Sequence, residues 1–242
     1  MGHESQNSES VLEDVDQLRC FSPPHIAVYG LTLEPGTTLW ERQERAGVDP
    51  FSRTNAHVLD QIWSDRLESS GYTRYEASNF SRAEAHRSRH NQTYWKNDAY
   101  SGLGPGAASS QHPYRWSNVR ETTAYLERIQ EGRSVRTRAE LLRPSQRFLE
   151  SLGVGLRTLD GIPTTELDRR FSKAWRNPVQ VSGASLFEAG FLSLDEVRLA
   201  IPAQHMVRAD SILSSLARSL GTSSLIEEPA SAPPCNSRSG RI

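Results

Sequence analysis

The longest strongly apolar stretch of this 242-residue chain, from Ile26 to Leu33, limits the fold more than any other feature. Together with His25 it is β-branched and nearly continuous, which is typical of a strand buried on both faces. The Glu-Pro-Gly-Thr sequence that follows is typical of a turn. The stretch is far shorter than the roughly 20 residues that span a bilayer. We therefore predict a buried strand over His25–Leu33 that needs covering elements, and no stable insertion into a membrane.

The charge of the chain is nearly balanced, with a formal net charge of -1. Such a chain has no overall field that attracts nucleic acid. One run of arginines is strongly positive, but acidic residues interrupt the helices predicted after it. We interpret the run as a solvated face and predict no nucleic-acid partner. The run comprises Arg133, Arg136, Arg138, Arg143 and Arg147.

The chain has two cysteines, Cys20 and Cys235, which lie near its two ends. This spacing provides neither a disulfide framework nor a set of neighbouring thiolates for a metal site. The first residues lack the basic, apolar and small-residue order of a secretory signal, and acidic residues such as Glu4 and Glu13 argue against a mitochondrial presequence. We therefore expect a cytoplasmic protein. An upstream extension in a eukaryote would reopen the mitochondrion as its location.

Apolar spacing divides the chain into two structured regions between polar ends. Residues 1–10 and 221–242 lack apolar periodicity, and we expect both segments to be disordered. Residues 11–120 combine the buried strand with helices and extended segments, whereas residues 121–220 are mainly helical. The elements predicted in the first region are a helix from Val11 to Leu18, a helix from Thr54 to Ser69, an extended segment from Tyr72 to Phe80 and glycine-rich turns from Tyr100 to Ser109.

The second region has the element order of a winged-helix-like module. Its predicted helices cover 122–131, 145–159, 164–171, 179–189 and 204–220, and a two-stranded hairpin is predicted within 191–201. Tyr125, Leu126 and Ile129 mark the apolar face of the first of these helices. The whole chain is therefore predicted to be α/β or α+β in class.

Five sequence blocks, in a fixed order, give the chain a specific resemblance. They read HIAVYGLTLEPGT, GYxxYEASNF, RHNQTYW, YxGLGPGA and LGVGLRTLDGI, and begin at His25, Gly71, Arg89, Tyr100 and Leu152. In these blocks the chain resembles the C-terminal portion of the heme chaperone family related to oxygen-independent coproporphyrinogen III oxidase, from about Pro23 to Leu220. The resemblance implies the last strands of a radical S-adenosylmethionine (β/α) partial barrel, followed by a C-terminal helical, winged-helix-like domain.

Complete members of that family hold a [4Fe–4S] cluster on three closely spaced cysteines, and the cluster binds S-adenosylmethionine. This chain has no such triplet, and a cluster of this kind needs thiolates from nearby positions. We therefore expect the cluster and S-adenosylmethionine only in a full-length form, and no catalysis by this chain alone. Two functional hypotheses stand: a truncated heme chaperone that binds heme and transfers it to an acceptor protein, or an incompletely predicted radical S-adenosylmethionine enzyme of porphyrin metabolism whose N-terminal half is missing. A third possibility is a non-functional remnant, which low solubility and absent ligand binding would indicate.

The block HNxxYW is preserved whole and comprises His90, Asn91, Tyr94 and Trp95. The resemblance implies that these residues bind heme. A neutral imidazole is an axial ligand of heme iron, so His90 is the predicted metal ligand, while aromatic rings stack on the porphyrin and nearby cations such as Arg89 pair with propionates. If the block forms a helical turn, His90 and Tyr94 share a face. The competing interpretation is a polar cap over a packed aromatic cluster.

Other polar residues near these blocks are weaker candidates. His86 and His112 are predicted loop residues that offer a second imidazole, and Ala108 stands where family members carry a histidine. Glu34 and Glu76 follow extended segments, and we interpret them as surface carboxylates.

The predicted strand lacks the neighbours that a parallel barrel would give it. Ile26, Val28 and Leu31 must then be covered by the preceding helix, by residues 72–80, or by another chain, either a second copy in a homo-oligomer or a complementing chain. An exposed strand edge promotes aggregation. We therefore predict that the chain alone is poorly stable.

Overall fold

A computed structural model describes residues 1–2, 6–46, 53–137 and 139–222. They form helices and small antiparallel sheets, which confirms the mixed fold class. The helices are α1 (Ser8–Phe21), α2 (Thr38–Ala46), α3 (Arg53–Glu68), α4 (Arg89–Trp95), α5 (Thr122–Gln130), α6 (Pro144–Gly155), α7 (Thr164–Phe171), α8 (Arg176–Ser182), α9 (Ala184–Glu188) and α10 (Ala209–Thr222). The strands are β1 (His25–Ala27), β2 (Thr73–Arg74), β3 (Asn79–Ser81), β4 (Ala108–Gln111), β5 (Tyr114–Ser117), β6 (Glu140–Leu141), β7 (Ile162–Pro163), β8 (Ser193–Leu194) and β9 (Arg198–Ala200). Short 3-10 helices cover Glu84–His86, Lys173–Trp175 and Ala203–Arg208.

The first sheet has the strand order β1-β3-β2, and both strand pairs are antiparallel. The strand predicted over His25–Leu33 ends at Ala27, and Val28 adds one backbone hydrogen bond of 2.7 Å before the chain leaves the sheet. Ile26 and Val28 are 7% exposed, whereas Leu31 is 39% exposed. The predicted burial is therefore confirmed for the first two residues and wrong for Leu31, because the partner strand β3 is only 3 residues long.

Helices α1 and α3 cover this sheet and form the N-terminal core. Val11 and Val15 of α1 are fully buried and pack with Trp63 and Leu67 of α3 and Phe80 of β3. The preceding helix and residues 72–80 thus provide the cover that the sequence suggested. The third covering element, α3, is the helix predicted from Thr54.

Helix α1 begins at Ser8, three residues before the predicted start at Val11. Asn7 is the reason, because its side chain accepts a hydrogen bond from Ser10 N at 3.0 Å and caps the first turn. The disordered lead predicted over residues 1–10 is therefore wrong for residues 8–10.

The second sheet has the order β4-β5-β6 and follows the glycine-rich turns. Gly102 packs directly against the strand, since a Cβ there would lie 2.1 Å from Ala108 O. Asn118 Nδ2 donates hydrogen bonds to Gly102 O at 3.2 Å and Gly104 O at 2.9 Å. The glycines therefore allow the turn to pack closely against the second sheet.

Helix α5 forms where the sequence predicts a helix, but its predicted apolar face is not buried. Leu126 and Ile129 are 52% and 54% exposed. Helical periodicity specifies a face, while burial depends on a neighbouring element, and within the described residues no neighbour covers this face.

The C-terminal helices and the third sheet enclose the larger core, which includes Leu152, Leu167, Leu199 and Leu216. The helix predicted over 179–189 is divided into α8 and α9 at Gly183, where a Cβ would lie 2.8 Å from Val179 O. The predicted hairpin is confirmed as β8 and β9, and β7 joins β9 on its other side to give the order β7-β9-β8.

Part of what the sequence predicts lies outside the described residues. Residues 223–242, with Cys235, and Arg138 of the arginine run fall there. Among the described residues, no helix is both long and apolar enough to cross a bilayer.

Candidate functional site

The HNxxYW block forms the short helix α4, Arg89–Trp95. Ser88 caps it, because its Oγ accepts a hydrogen bond from Asn91 N at 3.2 Å. The prediction that His90 and Tyr94 share a helix face is confirmed, since their ring centroids lie 4.8 Å apart in an edge-to-face arrangement. Tyr94 in turn meets Tyr100 edge-on at 4.6 Å. The helix thus presents an imidazole at the end of an aromatic row.

His90 lies on the exposed side of α4. Apart from the contact with Tyr94, its ring makes no hydrogen bond or ion pair within the described part of the chain. It borders an open recess of about 550 Å³. The recess is lined by Arg89, His90, Gln92, Thr93, Lys96 and Asp98.

Trp95 lies on a different side of α4 from His90. It lines a cavity of about 510 Å³, bounded also by Gly155, Ile162 and Leu167, which adjoins the recess at His90 and shares Lys96 with it. Its Nε1 is buried and has no hydrogen-bond partner among the described residues. The four residues of the block are therefore not gathered around one point: His90 lines the surface recess, Tyr94 lines another recess with Tyr100, Trp95 lines the inner cavity, and Asn91 is half-buried.

Tyr75 ties the N-terminal sheet to the start of α4. Its hydroxyl accepts a hydrogen bond from Ser88 N at 3.1 Å and lies 2.9 Å from His25 Nε2. Burial lowers the pKa of His25 and raises the pKa of Tyr75, which favours a neutral imidazole that accepts a hydrogen bond from the hydroxyl of a neutral phenol. Arg87 covers the Tyr75 ring at 5.4 Å and forms a 2.6 Å ion pair with Asp160. These contacts fix the end of α4 at which His90 lies.

Glu76 lies at the junction between the two halves of the molecule. It is 1% exposed, so the interpretation as a surface carboxylate is wrong for Glu76, while Glu34 is exposed as predicted. Glu76 accepts hydrogen bonds from Ser78 N and from the side chain of Asn79, and burial raises its pKa. Its backbone forms a bridge with Thr158 of the LGVGLRTLDGI block.

Two further backbone hydrogen bonds reinforce that junction, Ala77 N to Arg157 O at 2.8 Å and Leu159 N to Tyr75 O at 3.1 Å. Sequence reasoning missed the roles of Tyr75 and Glu76. The only signal was their membership of the YEASNF block, which lies next to no site residue in the sequence.

The other sequence-predicted imidazoles do not line the recess at His90. His86 is exposed in the 3-10 helix before α4. His112 lines a different recess, where its Nε2 lies 3.2 Å from both Asn97 O and Asn97 Oδ1. Within the described ranges, no group of three or more His, Cys, Asp or Glu side chains is arranged to hold a metal ion, and Cys20 is exposed and free.

Comparison with solved structures defines the class of fold. The chain is similar to Escherichia coli coproporphyrinogen III oxidase (HemN), described as a radical S-adenosylmethionine enzyme, with a TM-score of 0.67 over 88% of this chain and 52% of that chain. The sequence identity is 15%, so the likeness shows the fold alone. The chain therefore has the fold of part of a radical S-adenosylmethionine protein. No protein-family model matches the chain.

Curated relatives define the family. The chain is 32% identical to the heme chaperone HemW of Lactococcus lactis over 167 residues, which cover 69% of this chain and 43% of the relative. It is 30% identical to the zebrafish (Danio rerio) mitochondrial radical S-adenosyl methionine domain-containing protein 1 over 222 residues, 84% of this chain and 48% of the relative. The chain thus spans less than half the length of either relative. The resemblance drawn from the five blocks is confirmed, and the chain belongs, as a partial match, to the heme chaperone HemW family.

Proposed function

We propose that the chain binds heme on the exposed side of α4, with the His90 imidazole as the axial ligand of the iron, and passes the heme to an acceptor protein. The observation that supports this proposal most directly is the state of His90, which is exposed and makes no hydrogen bond within the described residues. An axial ligand needs a free nitrogen lone pair that iron can reach. His90 meets both requirements.

The surroundings of His90 match the other parts of a heme. The Tyr94 and Tyr100 rings offer an apolar surface for the porphyrin. These rings line a different recess from His90, and Tyr94 is connected to His90 by their ring contact. Arg89 and Lys96 line the recess at His90, and no salt bridge within the described residues engages either of them, so their charges remain for the propionates. The recess is open, so heme held there stays in reach of a second protein. An open site of this kind suits cargo that must be released.

The two cysteines of this chain do not fit a [4Fe–4S] cluster, which needs several neighbouring thiolates. We therefore derive no step through a cluster or through S-adenosylmethionine. The second candidate function, that of a portion of a radical S-adenosylmethionine enzyme, is favoured by the HemN-like fold and by the share of each relative that the chain covers. A closely spaced cysteine triplet encoded in frame upstream would support that candidate, and a coding region without one would contradict it.

The identity of the acceptor and the location of the protein belong to the same proposal. The zebrafish relative is named mitochondrial, which supports a mitochondrial location if the source is eukaryotic, and the cytoplasm is the alternative location. Epitope-tagged full-length protein, followed by cell fractionation, separates the two.

Hemin titration of the purified chain, followed by the Soret band, tests heme binding. The parent chain is expected to saturate at one hemin per chain. His90→Ala is expected to weaken binding at least about tenfold, because even the loss of groups that merely orient a metal ligand costs that much. His86→Ala is the matched control, since His86 is equally exposed but lies outside α4.

Equal affinity of His90→Ala and the parent would show that His90 is not the ligand. Absence of saturable binding by the parent would contradict the function itself. Transfer is tested separately, by mixing the loaded chain with apomyoglobin and following the change in the Soret band.

A further inference from the structure

A second recess, of about 230 Å³, lies between α6, α7 and the β4–β5 turn. Three arginines line it, Arg147 on α6 and Arg169 and Arg170 on α7, together with His112 and Asp98. It is a different space from the recess at His90, with which it shares only Asp98. Nothing in the proposed heme-binding function uses it.

The charges around this recess do not cancel. Arg169 and Arg170 both pair with the single carboxylate of Glu166, and Arg170 lies 3.8 Å from Asp98. Arg147 has no ion pair or side-chain hydrogen bond within the described part of the chain. The three guanidinium groups therefore have two carboxylates beside them, those of Glu166 and Asp98. The positive charge that remains is that of Arg147, which is half-buried. A half-buried charge without a partner is costly unless a ligand compensates it.

Two nitrogens at this recess are buried and unpartnered, Arg147 Nε and His112 Nδ1. Arg147 Nε carries a hydrogen and needs an acceptor. His112 Nε2 lies 3.2 Å from two oxygens of Asn97, so Nε2 carries a hydrogen, and in the neutral ring Nδ1 is an acceptor that needs a donor. Buried polar atoms without partners are rare in folded proteins, and a bound ion is one common reason for them.

We propose that this recess binds a phosphate group. Phosphate is an anion with several acceptor oxygens for Arg147 and the α7 arginines, and its protonated oxygen supplies the donor that His112 Nδ1 lacks. A carboxylate or a chloride ion offers acceptors only and leaves His112 Nδ1 unpaired. The volume of about 230 Å³ accommodates inorganic phosphate or the phosphate of a small monoester.

The test uses the whole chain without hemin, so its result does not depend on the proposed heme site. Phosphate at ten times its dissociation constant is expected to raise the Tm by about 3–6 °C relative to chloride at equal ionic strength. In Arg147→Gln the affinity is expected to fall about tenfold or more, because a hydrogen-bonded charge is lost. Arg120→Gln removes the same charge from an exposed position and is expected to behave as the parent.

Phosphate also stabilises any folded chain in a general way, and this effect is the same in the parent, Arg147→Gln and Arg120→Gln. Specific binding is therefore measured by the difference in the rise in Tm between these proteins. Inorganic phosphate is compared with methyl phosphate at about pH 5.5, below the second pKa of about 6 of a phosphate monoester, so that both ligands carry a protonated oxygen. The comparison shows whether the free ion or a monoester is preferred, and either preference supports the site. If Arg147→Gln does not fold, broadening of the phosphate ³¹P resonance by the parent chain provides the same answer. Equal stabilisation by acetate or chloride, or an unchanged affinity in Arg147→Gln, would overturn the proposal.

Discussion

The two hydrophobic cores of the molecule are enclosed to different degrees. The C-terminal core, around Leu167, Leu199 and Leu216, is surrounded by α6 to α10 and the third sheet. The N-terminal core is formed by α1, α3 and one small sheet, and apolar residues beside it remain uncovered, with Phe21 82% and Tyr29 61% exposed. A core that closes on itself resists local opening better than one with an uncovered edge. The predicted poor stability of the chain is therefore expected to originate in the N-terminal half.

A buried ion pair adds a second difference between the cores. Arg74 and Asp60 are each 6% exposed and form two hydrogen bonds, of 2.8 and 3.0 Å. Removing one partner leaves the other charge buried, so Arg74→Ala is expected to lower the free energy of unfolding by about 3–5 kcal/mol. Arg45→Ala, which breaks an exposed pair with Glu41, is the control and is expected to cost less than about 1 kcal/mol. Urea unfolding measures both, and equal losses would remove the distinction.

Truncation in the C-terminal core tests how closely that core is packed. Leu199 of β9 is 0% exposed, and Leu199→Ala is expected to cost about 2–5 kcal/mol through lost burial and the cavity left behind. Val197, two residues earlier, is 71% exposed, so Val197→Ala is expected to stay within about 0.5 kcal/mol of the parent. A loss below about 1 kcal/mol for Leu199→Ala would show that the C-terminal core is looser than the structure indicates.

The junction at Tyr75 connects the two halves and the start of α4. Tyr75→Phe removes a hydroxyl with two partners and is expected to cost about 1–2 kcal/mol and to weaken hemin binding, because Ser88 N loses its acceptor. Tyr72→Phe removes a hydroxyl that donates to Pro23 O at 2.6 Å, away from α4. It is expected to cost similar stability and leave hemin affinity unchanged. Equal hemin affinity in both variants would show that Tyr75 does not position α4.

The smallest effect concerns Glu76, whose pKa is raised by burial above its ordinary value of 4.5. The folded state then binds a proton that the unfolded state releases, so stability falls as the pH rises above about 4.5 and through the folded pKa. Glu76→Gln removes this fall and is expected to raise the Tm near pH 7 relative to the parent. Near pH 4 the two proteins are expected to melt alike.

The dependence of stability on pH in the acid range provides an internal reference. A hydrogen bond from Arg169 lowers the pKa of Glu166, and one from Arg176 lowers the pKa of Asp168. Both groups stabilise the fold above their unfolded pKa and lose that contribution as the pH falls. This loss of stability at low pH is expected to be the same in the parent and in Glu76→Gln. A variant that differs from the parent only at low pH would contradict the role assigned to Glu76.

Local sequence patterns predicted the elements well where a cap, a glycine or a proline marks an end. The helix after Pro163, the hairpin around Asp195 and the face shared by His90 and Tyr94 are examples. The patterns predicted less well which elements pack against one another. The length of β1 and the exposure of the α5 face depend on which elements lie beside them, and that information is spread over distant parts of the chain.

The sequence by itself determined the helices and turns, the family, and the residue types available for heme, because spacing and local backbone preference act over a few residues. Only the tertiary structure decided that Trp95 and His90 line different spaces, that Tyr75 holds the start of α4, that Glu76 is buried, and that Arg147 and His112 line one recess. These are contacts between segments far apart in the chain, and they are set by how the cores pack, which no local pattern encodes.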